Sequence, residues 1–135
     1  MISFPAIVVH GRAQAEAALQ PGLPVLLLSA AGAAGFAGCL WWRALVAQAR
    51  SAHPATPMQD ALDCGAAPGH AMAALRVGQQ LIVFASASPA YPAICGAAAT
   101  LGARVLAARP PTLDLGERDA ARHLDTWLRS QGNPG

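Results

Sequence analysis

Residues 23–42 read LPVLLLSAAGAAGFAGCLWW, a stretch without one charged side chain. Its length matches the roughly 20 apolar residues that a membrane-spanning helix needs. Trp41, Trp42 and Arg43 would follow it like an interfacial anchor. Its composition argues otherwise. Only VLLLSA is strongly apolar, and it is short and strand-like. The small residues of AAGAAGFAG contribute little to insertion. Pro21 and Pro24 break the start of the charge-free run 17–42, and Pro89 and Pro92 interrupt the second such run, 77–103. Each run therefore divides into a short strand and a following helix, and no membrane span is expected.

The same division recurs along the chain. PAIVVHG (5–11) reads as a first strand, and RAQAEAALQPG (12–22) as a helix ended by Pro21 and Gly22. LPVLLLSA is the second strand. The second helix is expected from about Ala33 to Arg50, with Gly38, Trp42, Leu45, Val46 and Ala49 on one face. TPMQDALDCG (56–65) is the third and most polar strand. APGHAMAALRVG (67–78) is a short helix with Pro68 in its first turn. QQLIVFAS (79–86) is the fourth strand. Ser88 is placed to cap the next helix, with Pro89 at its first position. ARVLAAR (103–109) is the fifth strand. Asp114 and Glu117 stand at capping-box spacing before a last helix.

Alternating strands and helices imply parallel pairing with right-handed crossovers. The expectation is a single α/β domain over residues 1–135, a three-layer, Rossmann-like open sheet of five parallel strands. Strands buried on both faces read as continuous apolar runs. By that rule strands one, two and four are central, while Gln59, Asp60 and Asp63 send strand three to an edge. The order 3-2-1-4-5 satisfies this; a flavodoxin-like 2-1-3-4-5 sheet or a half-barrel in simple 1-2-3-4-5 order would bury the polar strand.

Composition narrows the function classes. Apolar residues make up 54%, the net charge is +2, and all nine cations are arginine, a bias expected of a GC-rich bacterial genome. The arginines form no basic stripe and there are few aromatics to stack on bases, so nucleic acid is not an expected partner. Cys39, Cys64 and Cys95 lack metal-ligand or disulfide spacing. No metal site is expected, the sequence names no cofactor, and the N-terminus has no secretory pattern, so the expected compartment is the cytoplasm.

In an open parallel sheet, ligands bind beyond the carboxyl ends of the strands, at the point where the winding reverses, which for 3-2-1-4-5 lies between strands one and four. The residues expected there are His10, Gly11 and Arg12 after strand one, Ser29 and Gly32 after strand two, Asp63, Cys64 and Gly65 after strand three, Ser86 and Ser88 after strand four, and Arg109 after strand five. Gly32, Gly35 and Gly38 are spaced G-x-x-G-x-x-G after a strand. That departs from the dinucleotide fingerprint G-x-G-x-x-G but leaves two readings, close helix packing or an anion cradle. The first functional expectation is a small anionic ligand, phosphorylated or carboxylated, held by Ser29, Gly32, Ser88 and Arg109, with Gly35, Asp63 and Ser86 beside them and His10 as the polar group nearest the reacting or recognised atom. The second is a lyase- or transferase-type enzyme with His10 as general base or Cys64 as nucleophile. The third is a non-catalytic homo-oligomeric module with Trp41 at its interface.

Overall fold

A computed structural model describes residues 4–131. Among the described residues, strands alternate with helices as far as β5, and β6 follows β5 directly: β1 (Ala6–Val8), α1 (Arg12–Leu19), β2 (Val25–Leu28), α2 (Ala33–Phe36), α3 (Cys39–Ala52), β3 (Met58–Asp63), α4 (Pro68–Arg76), β4 (Leu81–Val83), α5 (Tyr91–Thr100), β5 (Arg104–Leu106), β6 (Thr112–Asp114) and α6 (Leu124–Gln131). The α/β class stands, consistent with a Rossmann-like three-layer fold. No helix among the described residues is long and apolar enough to cross a membrane. The uncharged stretch bends instead at Gly32 and Gly38, whose φ values of +69° and +92° suit glycine.

The strand order is β5-β4-β3-β2-β1-β6. It corrects the expected 3-2-1-4-5 on two counts. Strand three is internal, and the consecutive order set aside with the half-barrel describes β1 to β5, so strands one and four are not neighbours and the switch point expected between them does not form. A sixth strand also occupies the place assigned to a helix cap, so Asp114 belongs to a strand. Polar residues failed as an edge marker because burial penalises only an unpaired charge. Asp60 lies 3.6 Å from Arg50 and Asp63 lies 2.7 Å from Arg109. The true edge strands, β5 and β6, have three residues each and are partly exposed.

Packing forms two compact units. The first takes in the chain up to Leu28, Leu45–Asp60 and the chain from Pro110. In it β1 pairs in parallel with β2, Ile7 opposite Leu27, and with β6, Ile7 opposite Leu113. Ile7, Val9 and Val25 to Leu28 are fully buried. Thr56 donates its hydroxyl to the Leu19 carbonyl at 2.8 Å, closing the end of α1. The Trp127 indole of α6 donates to the Ala6 carbonyl at 3.0 Å.

The second unit takes in Ser29–Ala44 and Ala61–Arg109. Here β4 pairs in parallel with β3, Val83 opposite Asp63, and with β5, Val83 opposite Leu106. Trp42, Leu62, Ile82 and Phe84 are its largest buried side chains. The single helix expected over 33–50 is two helices, α2 and α3. Gly38 separates them, so it breaks the helix instead of packing within it. Helix α5 starts at Tyr91, later than expected; Ser88 Oγ accepts the Ala90 N–H at 3.2 Å and shapes the preceding turn.

Candidate functional site

At the carboxyl ends of β2 and β3 the second unit gathers Ser29, Gly32, Asp63 and Arg109. The Asp63 side chain is 5% exposed. Its Oδ1 accepts the backbone N–H groups of Gly32 at 3.0 Å and Gly65 at 2.8 Å. Its Oδ2 accepts Arg109 Nη1 at 2.7 Å. Ser29, fully buried, accepts the Asp63 N–H at 2.9 Å and donates to the Ala30 carbonyl at 3.0 Å. Every polar group that takes Asp63 out of water is thus compensated.

Gly32 and Gly65 sit in left-handed turns, φ +69° and +59°. That conformation turns both N–H groups onto one oxygen. The anion cradle considered for Gly32 and Gly35 is therefore occupied by the chain's own carboxylate. The Gly35 N–H is bonded to the Gly32 carbonyl at 2.9 Å, and a side chain at Gly35 would come within 2.9 Å of the His70 ring, so this glycine serves close packing.

Arg109 is anchored through one nitrogen. Nη1 donates to Asp63 Oδ2 and to the Ser29 carbonyl at 3.1 Å. Nε and Nη2 have no partner among the described residues, and the side chain is 29% exposed. The guanidinium is thereby fixed while its two-nitrogen edge stays open, the geometry that takes a carboxylate or phosphate through two parallel hydrogen bonds. Ser86, exposed and with no side-chain partner among the described residues, and half-buried Ser88 follow β4 in the same unit.

Cys64 is a poor nucleophile in this setting. Its side chain is buried, and burial, Asp63 and Cys39 push its thiol up to about 12 from 9.0. A protonated, buried thiol neither attacks nor binds metal. Among the described residues no group of three metal-ligating side chains comes together.

His10 belongs to the first unit, at the end of β1. Its Nε2 lies 2.6 Å from Asp114 Oδ1 at the end of β6, and the same oxygen accepts the Gly116 N–H at 2.7 Å. Asp114 and Gly116 were not anticipated as site residues, whereas Gly65 stands with Asp63 and Cys64 in the expected strand-end group. A sequence signal for them exists: Asp63-Cys64-Gly65 and Asp114-Leu115-Gly116 are the same D-x-G turn at a strand end. In each, the aspartate accepts the glycine N–H two residues on and pairs with a basic side chain.

Compared with models of known protein families and with curated proteins, the chain matches none.

Proposed function

We propose that the protein binds a small ligand bearing a carboxylate or phosphate at the carboxyl ends of β2 and β3, with Arg109 as the recognition group. The observation that carries this reading is the single-nitrogen anchoring of Arg109, which leaves Nε and Nη2 unpartnered. Asp63, Ser29, Gly32 and Gly65 hold the arginine; Ser86 and Ser88 supply hydroxyls at the end of β4. The Asp63–Arg109 pair is neutral overall, so recognition rests on the planar fork and its fixed orientation more than on net charge. Three free thiols suit a reducing compartment, and we place this binding in the cytoplasm.

Inorganic phosphate titrated against thermal unfolding tests the reading. At about ten times its dissociation constant a ligand adds about 1.4 kcal/mol, which raises the melting temperature of a chain this size by roughly 5 °C. Arg109→Lys keeps the charge and loses the fork, and the gain should disappear. An equal gain in Arg109→Lys and wild type would show a general salt effect and overturn the assignment.

A second reading has its own observation. Phe36 and Leu40 are 73% and 68% exposed, with half-buried Trp41 next in the chain. Apolar side chains left in water on either side of the Gly38 break, Phe36 at the end of α2 and Leu40 at the start of α3, fit a self-associating module. The mass measured by light scattering should then fall in a Phe36→Ser/Leu40→Ser variant; an unchanged mass removes this reading.

A further inference from the structure

The arginine site leaves unexplained a second polar constellation, made of different residues and lying in the first unit. His10 is exposed, its ring side chain 38% accessible, and Nε2 lies 2.6 Å from Asp114 Oδ1. Three features show that this ring has a set orientation. Asp114 is itself held, because its Oδ1 accepts the Gly116 N–H at 2.7 Å. The backbone carrying His10 is tied to α1, since Gln14 Oε1 accepts the His10 N–H at 2.8 Å while Gln14 Nε2 donates to the Leu115 carbonyl at 3.3 Å. Gly116 makes room for the ring: a Cβ there would stand 2.7 Å from Nε2 and 2.8 Å from Cδ2. A carboxylate accepting from one ring nitrogen selects the tautomer with its proton on that nitrogen and leaves a lone pair on the other. Nδ1 has no partner among the described residues.

We infer that His10, oriented by Asp114 and Gly116, is a general base acting through Nδ1 on a small substrate with a removable proton on carbon or oxygen. In the step, the substrate's C–H or O–H bond breaks and an N–H bond forms at Nδ1. The electron pair stays on the substrate, and Asp114 stands beside the imidazolium that results. The proton then returns to the product or to water. Asp114 and Gly116 are positioning residues. The ends of β1 and β6 place this centre on backbone that is paired on both sides at β1, which suits a group that must hold its direction.

The probe is 5-nitrobenzisoxazole, whose ring opens when a base removes its carbon-bound proton: the C–H electrons form the nitrile, the N–O bond breaks, and a coloured phenolate leaves. Wild-type protein should open it at least about a hundredfold faster per molecule than free imidazole at the same pH, the low end of what a positioned base contributes. His10→Gln should fall to the free-imidazole level. Asp114→Ala and Gly116→Ala should fall with it, although both keep His10. Labelling of the wild type with diethyl pyrocarbonate, mapped by mass spectrometry, gives a readout that needs no variant to fold. His10 should be carbethoxylated ahead of His53, His70 and His123. A structural clasp would lower the melting temperature of His10→Gln without either reactivity. Ring opening no faster than free imidazole, opening unchanged in His10→Gln, or labelling of His10 behind the other histidines overturns the inference.

Discussion

Asp63 has both carboxylate oxygens occupied, by two backbone N–H groups and by Arg109, and this one residue determines what its surroundings can do. Removing a single partner of a buried pair strands the other charge and the donors around it. Asp63→Ala should therefore lose about 3 kcal/mol or more in urea unfolding, and a loss within the range of an ordinary surface substitution would show the cluster to be dispensable. Next to it, Cys64 makes stability depend on alkaline pH. The unfolded chain releases the thiol proton near pH 9.0, whereas the folded chain keeps it to about 12. Between those values the native state binds more protons, so this contribution is complete below pH 9.0 and is lost as the pH rises. The slope is about 1.4 kcal/mol per pH unit. Cys64→Ala should flatten the alkaline limb of the stability curve relative to wild type; parallel curves would contradict the buried thiol. Strand-end position put Ser29, Gly32, Asp63 and Arg109 on one list with His10, Cys64, Ser86 and Ser88, and of these only the first four share the hydrogen bonds around Asp63. Their division of labour was not legible, because a one-dimensional pattern does not say which oxygen meets which N–H.

Among the elements, the break between α2 and α3 shows how one backbone angle overrides periodicity. The apolar spacing of Trp42, Leu45, Val46 and Ala49 fits a helix and is indeed buried. Gly38 nevertheless ends the helical path at φ +92°, with open space where a side chain would stand. Gly38→Ala should cost about 1–2 kcal/mol from conformation alone. Gly96, in α5 and also with open space beyond it, is the opposite case, and Gly96→Ala should add about 0.5–1 kcal/mol. Calorimetric melting of the two variants checks the contrast, which fails if both move the same way. Asp114 and Glu117 illustrate a related ambiguity. Their spacing matches a capping box, but Asp114 ends β6 and serves the Gly116 turn, and Asp119, at φ +61°, precedes the 3-10 turn Ala120–His123.

On the scale of the whole chain, the order β5-β4-β3-β2-β1-β6 sets which backbone is protected. The amides of Ile7, Leu27 and Leu62 lie on internal strands among fully buried side chains. Those of β5 and β6 lie on short outer strands. Amide hydrogen exchange should reach β5 and β6 first and Ile7 and Leu27 last; early exchange at β1 or β2 would contradict the order.

Local chemistry was enough to determine that this chain alternates strands with helices. Prolines, glycines and runs of branched residues act over a few positions, and their effect on the backbone does not wait for the rest of the fold. Strand neighbours and side-chain partners depended on tertiary structure, because Arg109 approaches Asp63 from 46 positions away and Arg50 meets Asp60 only once β3 folds back from α3. Only that approach makes a polar strand compatible with the interior, and only the pairing of β6 with β1 carries Asp114 to His10.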